Sequence, residues 1–577
     1  MVELQIGAAL RDPVVVRAVI KASAIFALTA VLCGIMGYVN LAASFDHGRL
    51  SVPPIYDDVS YFTAAARWLV DAPMRSPAAN LFALLDQHAP FTTLTSAIGL
   101  SFVPRGYAGP YLVNVVLVGA FMLAIASLVW RVSLIDIAVC LIGLACIPML
   151  SQAITEGRPD LLWGLALGLA VGAIFYQPLF VRSHGSLFLL GLLCGAAAAI
   201  KPSGLPASVA LLGFAMCAAT VCGCLETVSR NFRLLLKQAS ATLLLLGLGF
   251  LLGVAAIDGV GFAATIRYIV KAMISDRDFW VTSGSLWFHL SFYSVGGGGG
   301  RIALKYWFVV GLVLFAVRIW LSRQDRSDLS HTLALLAVVA AAYAIPTASV
   351  VKTYFLGAIF YGPFTVAMVL NYAAIADRLA HDRGGAFARR SGVRGPTAAG
   401  LRLLPLSAVG ALFIGQLSLA DAPLATKLDQ ETISDIRNAT ARTWSALSAA
   451  LPHETAQTLA WRGPGAIVTV ANPYPVNAAV LKLYAAQANL NVDAREGYFS
   501  RTLDEAANSL SAADFAIVTS SMPSNLPVPP MGDELIGRLD ADPHMCLVGS
   551  IALLKAREMR LYRRSETGCE FPPRAGQ

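Results

Sequence analysis

Charge is scarce in this 577-residue chain. Asp, Glu, Lys and Arg together make up 14% of it, where a soluble domain carries about 25%. Hydrophobic residues reach 56% and mean hydropathy is +0.65. That balance excludes a cytosolic enzyme and a disordered hub, and it implies a polytopic membrane protein. The net charge of +8 then does not imply nucleic acid. Basic residues in a membrane protein mostly mark its cytoplasmic side.

Other absences narrow the chemistry. Nine cysteines show no metal-binding spacing. Seven of them (Cys33, Cys140, Cys146, Cys194, Cys217, Cys222, Cys224) lie in or beside apolar segments and behave there as small hydrophobes. Cys222-Gly223-Cys224 is too short for a zinc half-site. Cys546 and Cys569 lie in the polar C-terminal part and can pair if that part is exported. The glycine run 296–300 lacks the Lys-Ser/Thr ending of a P-loop, so it reads as a flexible hinge. Gly247, Gly249 and Gly253 miss the dinucleotide spacing and point to close helix packing instead. No repeat of fixed period is visible.

What remains is apolar runs. About eleven stretches reach, some barely, the length of roughly 20 residues that a membrane helix needs. They are 18–41, 109–130, 133–152, 160–180, 186–200, 204–222, 239–257, 303–321, 332–349, 354–373 and 403–420. The first is too long for a cleaved signal and follows Arg11, Arg17 and Lys21, so it reads as an uncleaved anchor. Arg131, Arg182, Arg230, Arg233, Lys237, Arg323, Arg326, Arg378, Arg383, Arg389, Arg390, Arg394 and Arg402 all fall on one side, which the charge bias makes cytoplasmic. The N-terminus is then inside a cell's plasma (inner) membrane. Segments 42–108, 258–302 and 421–577 fall outside.

The expected fold is therefore a polytopic α-helical membrane module, residues 1–420, followed by a small extracytoplasmic α/β domain, residues 421–577. Strands are expected at Ala466–Ala471, Asp514–Ser520 and Cys546–Leu554. Helices are expected at Pro475–Leu490 and Glu534–Leu539, and a Pro-rich loop at Met522–Met531.

Chemistry concentrates on the outer face. Asp57-Asp58-Val59-Ser60-Tyr61 precedes an amphipathic stretch, Phe62–Val70. One acid of the pair can cap that helix, which leaves the other to act as a general base toward a hydroxyl. The short outer loops hold one cation each: Arg158 (beside Glu156), Lys201 and Lys352. Each is open to a reading as a snorkelling side chain. Three on the face that carries Asp57 and Asp58 suggest an anionic ligand, with a lipid phosphate the obvious candidate. His88, in Gln87-His88-Ala89-Pro90-Phe91, reads alone as a surface or packing histidine. Asp276–Trp280, Trp287 and His289 suit an interfacial aromatic belt or a sugar groove.

In this order, these motifs resemble the GT-C superfamily of lipid-linked-sugar glycosyltransferases. Asp57-Asp58-Val59-Ser60-Tyr61 with Ala64-Ala65-Ala66-Arg67-Trp68-Leu69 is similar to that family's Asp-Glu/Asp-x-x-Tyr signature and its small-residue helix. His88-Ala89-Pro90-Phe91 is similar to its Lys/His-x-Pro-hydrophobic element. Tyr354, Tyr361 and Pro363 after Lys352 resemble its late Arg/Lys-x-x-x-Tyr and Pro segment. By pattern the likeness is to the protein mannosyltransferase and lipid A aminoarabinose transferase branch, over about residues 15–375. Asp58 stands where Glu is commoner, and His88 where Lys often stands.

The resemblance implies an inverting glycosyltransferase. A sugar would pass from a polyprenyl-phosphate donor to an envelope glycan, lipid or protein acceptor. Asp57, with Asp58, would be catalytic. Lys352, Arg158, His88 and Lys201 would bind the donor phosphate, and Tyr61, Glu156 and Tyr354 would contact substrate. No cofactor or metal is expected, the alternative being a divalent cation at Asp57 and Asp58. The partners expected are the lipid-linked sugar, its acceptor and membrane lipid, with no nucleic acid. A transporter or lipid flippase is the first rival, and it is disfavoured by spans nearly free of carboxylates at mid-depth. A non-catalytic envelope assembly protein is the second.

Overall fold

A computed structural model describes residues 13–54, 57–103, 107–226, 232–274, 281–385, 396–451, 465–472, 474–497, 500, 502–520, 531–554 and 557–569. All eleven apolar stretches lie on helices. Seven of these helices are long and apolar enough to cross a membrane. The stretch at 133–152 is a broken pair, Leu134–Ala145 and Pro148–Ile154, bent by 63°. Pro148 starts the second piece, and its ring removes the backbone donor that would continue the first. Counted as one span, the pair makes eight. The stretches at 186–200, 303–321 and 403–420 are shorter apolar helices, His184–Ala199, Trp307–Ser322 and Leu403–Gly415. The chain is a multi-pass membrane protein.

Contacts divide the chain into two units. The first comprises Met1–Ala43, Leu85–Thr92 and Tyr111–Ala425. Small residues set its helix packing, because lipid supplies no hydrophobic drive between spans. Helices His184–Ala199 and Phe232–Asp258 meet along Gly191, Gly195, Gly249 and Gly253. A Cβ at any of the four would come closer than 3.0 Å to a backbone carbonyl of the other helix, at Leu246, Phe250, Phe188 and Leu192 respectively. Gly247 has nothing within 4 Å and takes no part. Gly164 and Gly168 let helix Pro159–Tyr176 approach Ala358 and Gly362 in the same way.

The run 296–300 is packed rather than hinged. A Cβ at Gly297 or Gly300 would strike the carbonyls of Ser291 or Ser294, and one at Gly299 would lie 2.7 Å from the Phe292 ring and 2.8 Å from the Tyr361 hydroxyl. Only Gly296 faces open space. The lack of side chains serves close approach here, and Gly298–Ala303 is helical.

The second unit comprises Ser44–Leu84, Thr93–Pro110 and Thr426–Gln577. It differs from the expected division at residue 420, because most of the first outer segment groups with the C-terminal region. The reason lies in specific contacts. Leu428 N donates to His47 O at 2.7 Å and Arg437 Nε donates to Ser51 O. Val52 packs with Ile433 and Ile436, and the Tyr107 ring stacks on Tyr484 at 6.5 Å.

A five-stranded sheet forms the centre of this unit: β1 Ala466–Val470, β2 Val492–Glu496, β3 Phe515–Thr519, β4 Met545–Leu553 and β5 Arg557–Arg564. Their order is β2-β1-β3-β5-β4, with β2, β1 and β3 parallel and the other pairings antiparallel. Val468, Val470, Phe515 and Ile517 bury one face against helices Gln430–Ala450 and Ala478–Gln487. Ala516, Val518 and Tyr562 bury the other against Leu503–Ser511 and Gly532–Ala541. A Cys546–Cys569 disulfide fastens the chain beyond β5 to β4. The expected Pro-rich loop lies outside the described residues, apart from Met531.

Candidate active site

The acid pair sits at the start of helix Asp58–Asp71, in the second unit. Val59, Phe62, Thr63 and Ala66 recur at helical spacing and are buried. Asp57 occupies the N-cap position, but its backbone is helical (φ −55°, ψ −20°) and its side chain makes no cap bond. It is exposed. Its carbonyl serves the turn, accepting from Ser60 N at 3.1 Å and Ser60 Oγ at 2.7 Å.

Asp58 is different. It is 1% exposed, and its Oδ1 accepts from Arg49 Nη1 at 2.5 Å, with Arg49 itself 6% exposed. Adjacent acids thus have separate environments, one wet and one buried against a guanidinium. Tyr61, half-buried, follows on the same helix. Among the described residues no group of three or more His, Cys, Asp or Glu is placed to hold a metal ion. With Asp58 turned to Arg49, the pair offers a cation one exposed carboxylate, a poor fit to the six or more oxygens that calcium takes or the octahedron that magnesium demands.

The cations lie in the first unit. Pro159 starts helix Pro159–Tyr176 and sets Arg158 at its N-cap. The Arg158 guanidinium lies 4.6 Å from the centroid of the Phe355 ring. Lys201 Nζ lies 6.0 Å from the same ring and 5.3 Å from that of Trp163, and it is ion-paired with Asp160. Glu156, 2% exposed, accepts a hydrogen bond at Oε1 from the Tyr354 hydroxyl. Its carbonyl accepts from Asn114 Nδ2 at 2.8 Å. Four expected site residues, Arg158, Lys201, Glu156 and Tyr354, are therefore brought together around Phe355. Two cations there face two acids, Glu156 and Asp160.

His88 joins them electrostatically. Partial burial, and then the Lys201 charge, hold its imidazole below the ordinary histidine value. Lys352 does not join them. Its ammonium donates to the carbonyls of Pro346 at 3.0 Å and Thr347 at 2.7 Å, the C-terminal turn of helix Arg326–Ala348, and it lies 5.4 Å from the Tyr293 ring centroid. Burial lowers its pKa. This is a helix-end cap, where the macrodipole favours a cation.

Sequence reasoning missed three participants. Arg49 lies nine positions before Asp58 in a 3-10 turn, and no local pattern links them. Phe355 looks like one more apolar residue of a span. Asp160 is not among the residues singled out above, although an acid two residues after Arg158 at a helix start is a usable signal. Asp276–Trp280 lies outside the described residues, and Trp287 is 75% exposed on a short helix.

No family model matches the sequence, and no curated protein matches it. Solved structures do. ArnT from Cupriavidus metallidurans bound to undecaprenyl phosphate superposes with a TM-score of 0.52 at 13% identity, over 93% of this chain and 97% of that one. The archaeal oligosaccharyltransferase AglB from Archaeoglobus fulgidus, in complex with an inhibitory peptide and a dolichol-phosphate, superposes with a TM-score of 0.50 at 12% identity, over 95% of this chain and 75% of that one. With the eleven apolar stretches on helices and a small mixed sheet at the C-terminus, this chain shares the overall fold of these two solved structures.

Proposed function

We propose that the protein is an inverting glycosyltransferase that moves a sugar from a polyprenyl-phosphate carrier to an acceptor hydroxyl outside the membrane. The observation that carries the reading is Asp57, an exposed carboxylate at a helix start that does not cap the helix, next to an acid committed to Arg49. The fold shared with a protein bound to undecaprenyl phosphate and one bound to dolichol-phosphate supports the carrier. The Cys546–Cys569 disulfide supports an oxidising compartment for the second unit.

In this mechanism Asp57 takes the proton of the acceptor hydroxyl as the oxygen forms its bond to the anomeric carbon. The bond from that carbon to the phosphate oxygen breaks on the opposite face. The electron pair leaves with the polyprenyl phosphate, and configuration inverts. A positioned base contributes about 10²–10⁴-fold. Arg158 and Lys201 oppose the charge that grows on the leaving phosphate. Arg158 offers a planar fork whose face rests on Phe355. Lys201 enters already paired with Asp160. His88, held toward its neutral form, would give the phosphate a hydrogen bond in place of a charge. Asp58 fixes the first turn that presents Asp57.

The test compares envelope lipids and glycans by mass spectrometry in three strains: intact, deleted, and deleted but rescued with Asp57→Asn. The variant is expected to match the deletion, with one sugar missing from a product or a polyprenyl-phosphate sugar accumulating. A restored intact profile overturns the assignment of Asp57.

A further inference from the structure

A cavity of about 500 Å³ opens in the first unit, between helices Leu134–Ala145, Trp307–Ser322, Ala358–Gly385 and Leu403–Gly415. All four helices belong to the apolar, membrane-embedded part of the chain. The walls are apolar. Cys140 and Gly143 come from the first helix, Val310 and Leu314 from the second, Met368 from the third and Val409 from the fourth.

Polar atoms stand at the two ends and turn to the protein. Asp136 and Cys146 bracket helix Leu134–Ala145. At the Cys146 end, Trp307 Nε1 donates to the Cys146 carbonyl at 3.1 Å. At the Asp136 end, the Tyr372 hydroxyl donates to Asp136 Oδ1 at 3.4 Å. The space between these ends has no charged side chain in its lining.

Gly143 shows why the space exists. Gly164 and Gly168 bring backbones together, but Gly143 does not. A Cβ added there would lie 3.8 Å from Trp307 and 3.9 Å from Val409, which is ordinary contact. The missing side chain leaves volume unfilled. The mouth is formed by Tyr306 and Leu412, each 40% exposed. On the same two helices Val309, Val313, Leu404 and Ile414 are exposed as well. The mouth therefore continues the apolar surface that these helices present to the bilayer.

These facts select the occupant. A buried water needs two to four polar partners, so a cavity lined this way stays dry. An ion finds no countercharge in it. A helix from a second copy, about 10–12 Å across with its side chains, is too wide to enter. A hydrocarbon chain fits. At about 30 Å³ for a water-sized group, the cavity has room for about sixteen groups of methylene size. That is one fatty acyl chain, which the bilayer supplies at the mouth.

We infer that this cavity holds one acyl chain of a bilayer phospholipid, which fills the gap between helix Leu403–Gly415 and the rest of the bundle. The proposal is independent of the transfer reaction.

The test uses the full-length protein in nanodiscs of palmitoyl-oleoyl phosphatidylglycerol and phosphatidylethanolamine. Native mass spectrometry after release reads retained phospholipid. Thermal unfolding in detergent, with and without the same lipids added back, reads their effect. Gly143→Leu fills the cavity from one wall and Leu314→Phe from another. Leu312→Phe, at an exposed position on the same helix as Leu314 that does not line the cavity, is the control. Wild type and Leu312→Phe are expected to retain one phospholipid, and both filling variants to retain it about tenfold less. The filling variants should unfold at or above the wild-type temperature and no longer respond to added lipid, which a damaged fold would not do. Equal retention in all four proteins overturns the proposal, as does a wild type that retains no lipid. Displacement of the phospholipid by an equimolar polyprenyl phosphate assigns the cavity to an isoprenoid chain and also overturns it.

Discussion

Arg49 Nη1 and Asp58 Oδ1 lie 2.5 Å apart, and neither side chain is more than 5% exposed. Removing one member of a buried ion pair leaves an uncompensated charge and costs about 3–5 kcal/mol. Asp58→Asn is therefore expected to lower thermal stability strongly, whereas Asp57→Asn, at an exposed position, unfolds at the wild-type temperature. The paired replacement Arg49→Met/Asp58→Leu should recover most of the loss. Equal unfolding temperatures for the two single asparagine variants would contradict the assignment.

Lys352 separates stability from donor binding. Its ammonium caps the carbonyls of Pro346 and Thr347. Lys352→Met is expected to cost about 1–2 kcal/mol, read by thermal unfolding, with the larger change in donor KM falling on Arg158→Gln. The reverse ranking would return Lys352 to the phosphate site.

The glycine seam gives a test of opposite signs. Gly247 has open space around it, so Gly247→Ala should gain up to about 1 kcal/mol of helix propensity. Gly249→Ala meets the Phe188 carbonyl and should destabilise the bundle. Thermal unfolding of both in one detergent decides it.

His88 yields a pH prediction. Its folded pKa lies below the ordinary value of about 6.5, so the unfolded chain binds the proton more readily. The stability it contributes is then present above that value and is lost as pH falls through it toward the folded pKa. Because His88 is only partly buried, the effect is modest. In a histidine-resolved NMR titration, Lys201→Met should raise the His88 pKa. An unchanged or lower value would remove the Lys201 charge as a cause.

The Cys546–Cys569 link closes a separation of 23 residues. Cys546→Ser/Cys569→Ser should cost the second unit about 3 kcal/mol, checked by proteolysis with and without reductant.

Hydropathy made the helices legible, because each apolar run is long relative to its uncertainty. It could not separate crossings from shorter helices such as Trp307–Ser322, since length near the threshold decides that. In the second unit, β1 and β3 were readable as buried apolar runs, and β4 as a mixed one. The strands β2 (Val492–Glu496) and β5 (Arg557–Arg564) were not. Arg560 of β5 is held by Asp540 at 2.6 Å and Glu558 at 3.0 Å, so tertiary partners overrule what the charges suggest. The acid pair was visible as a motif, but its division of labour depends on Arg49, a partner with no fixed spacing. The glycine run was misread because composition reports the freedom of an isolated backbone and says nothing of what packs against it.

That run also bears on how the protein moves. With Gly297, Gly299 and Gly300 clasped by Ser291, Phe292, Ser294 and Tyr361, the one glycine of the run left with open space is Gly296, so any pivot within the run falls there. The Tyr361 hydroxyl is buried on the far side of that pivot, and any side chain at Gly299 would intrude on it at 2.8 Å.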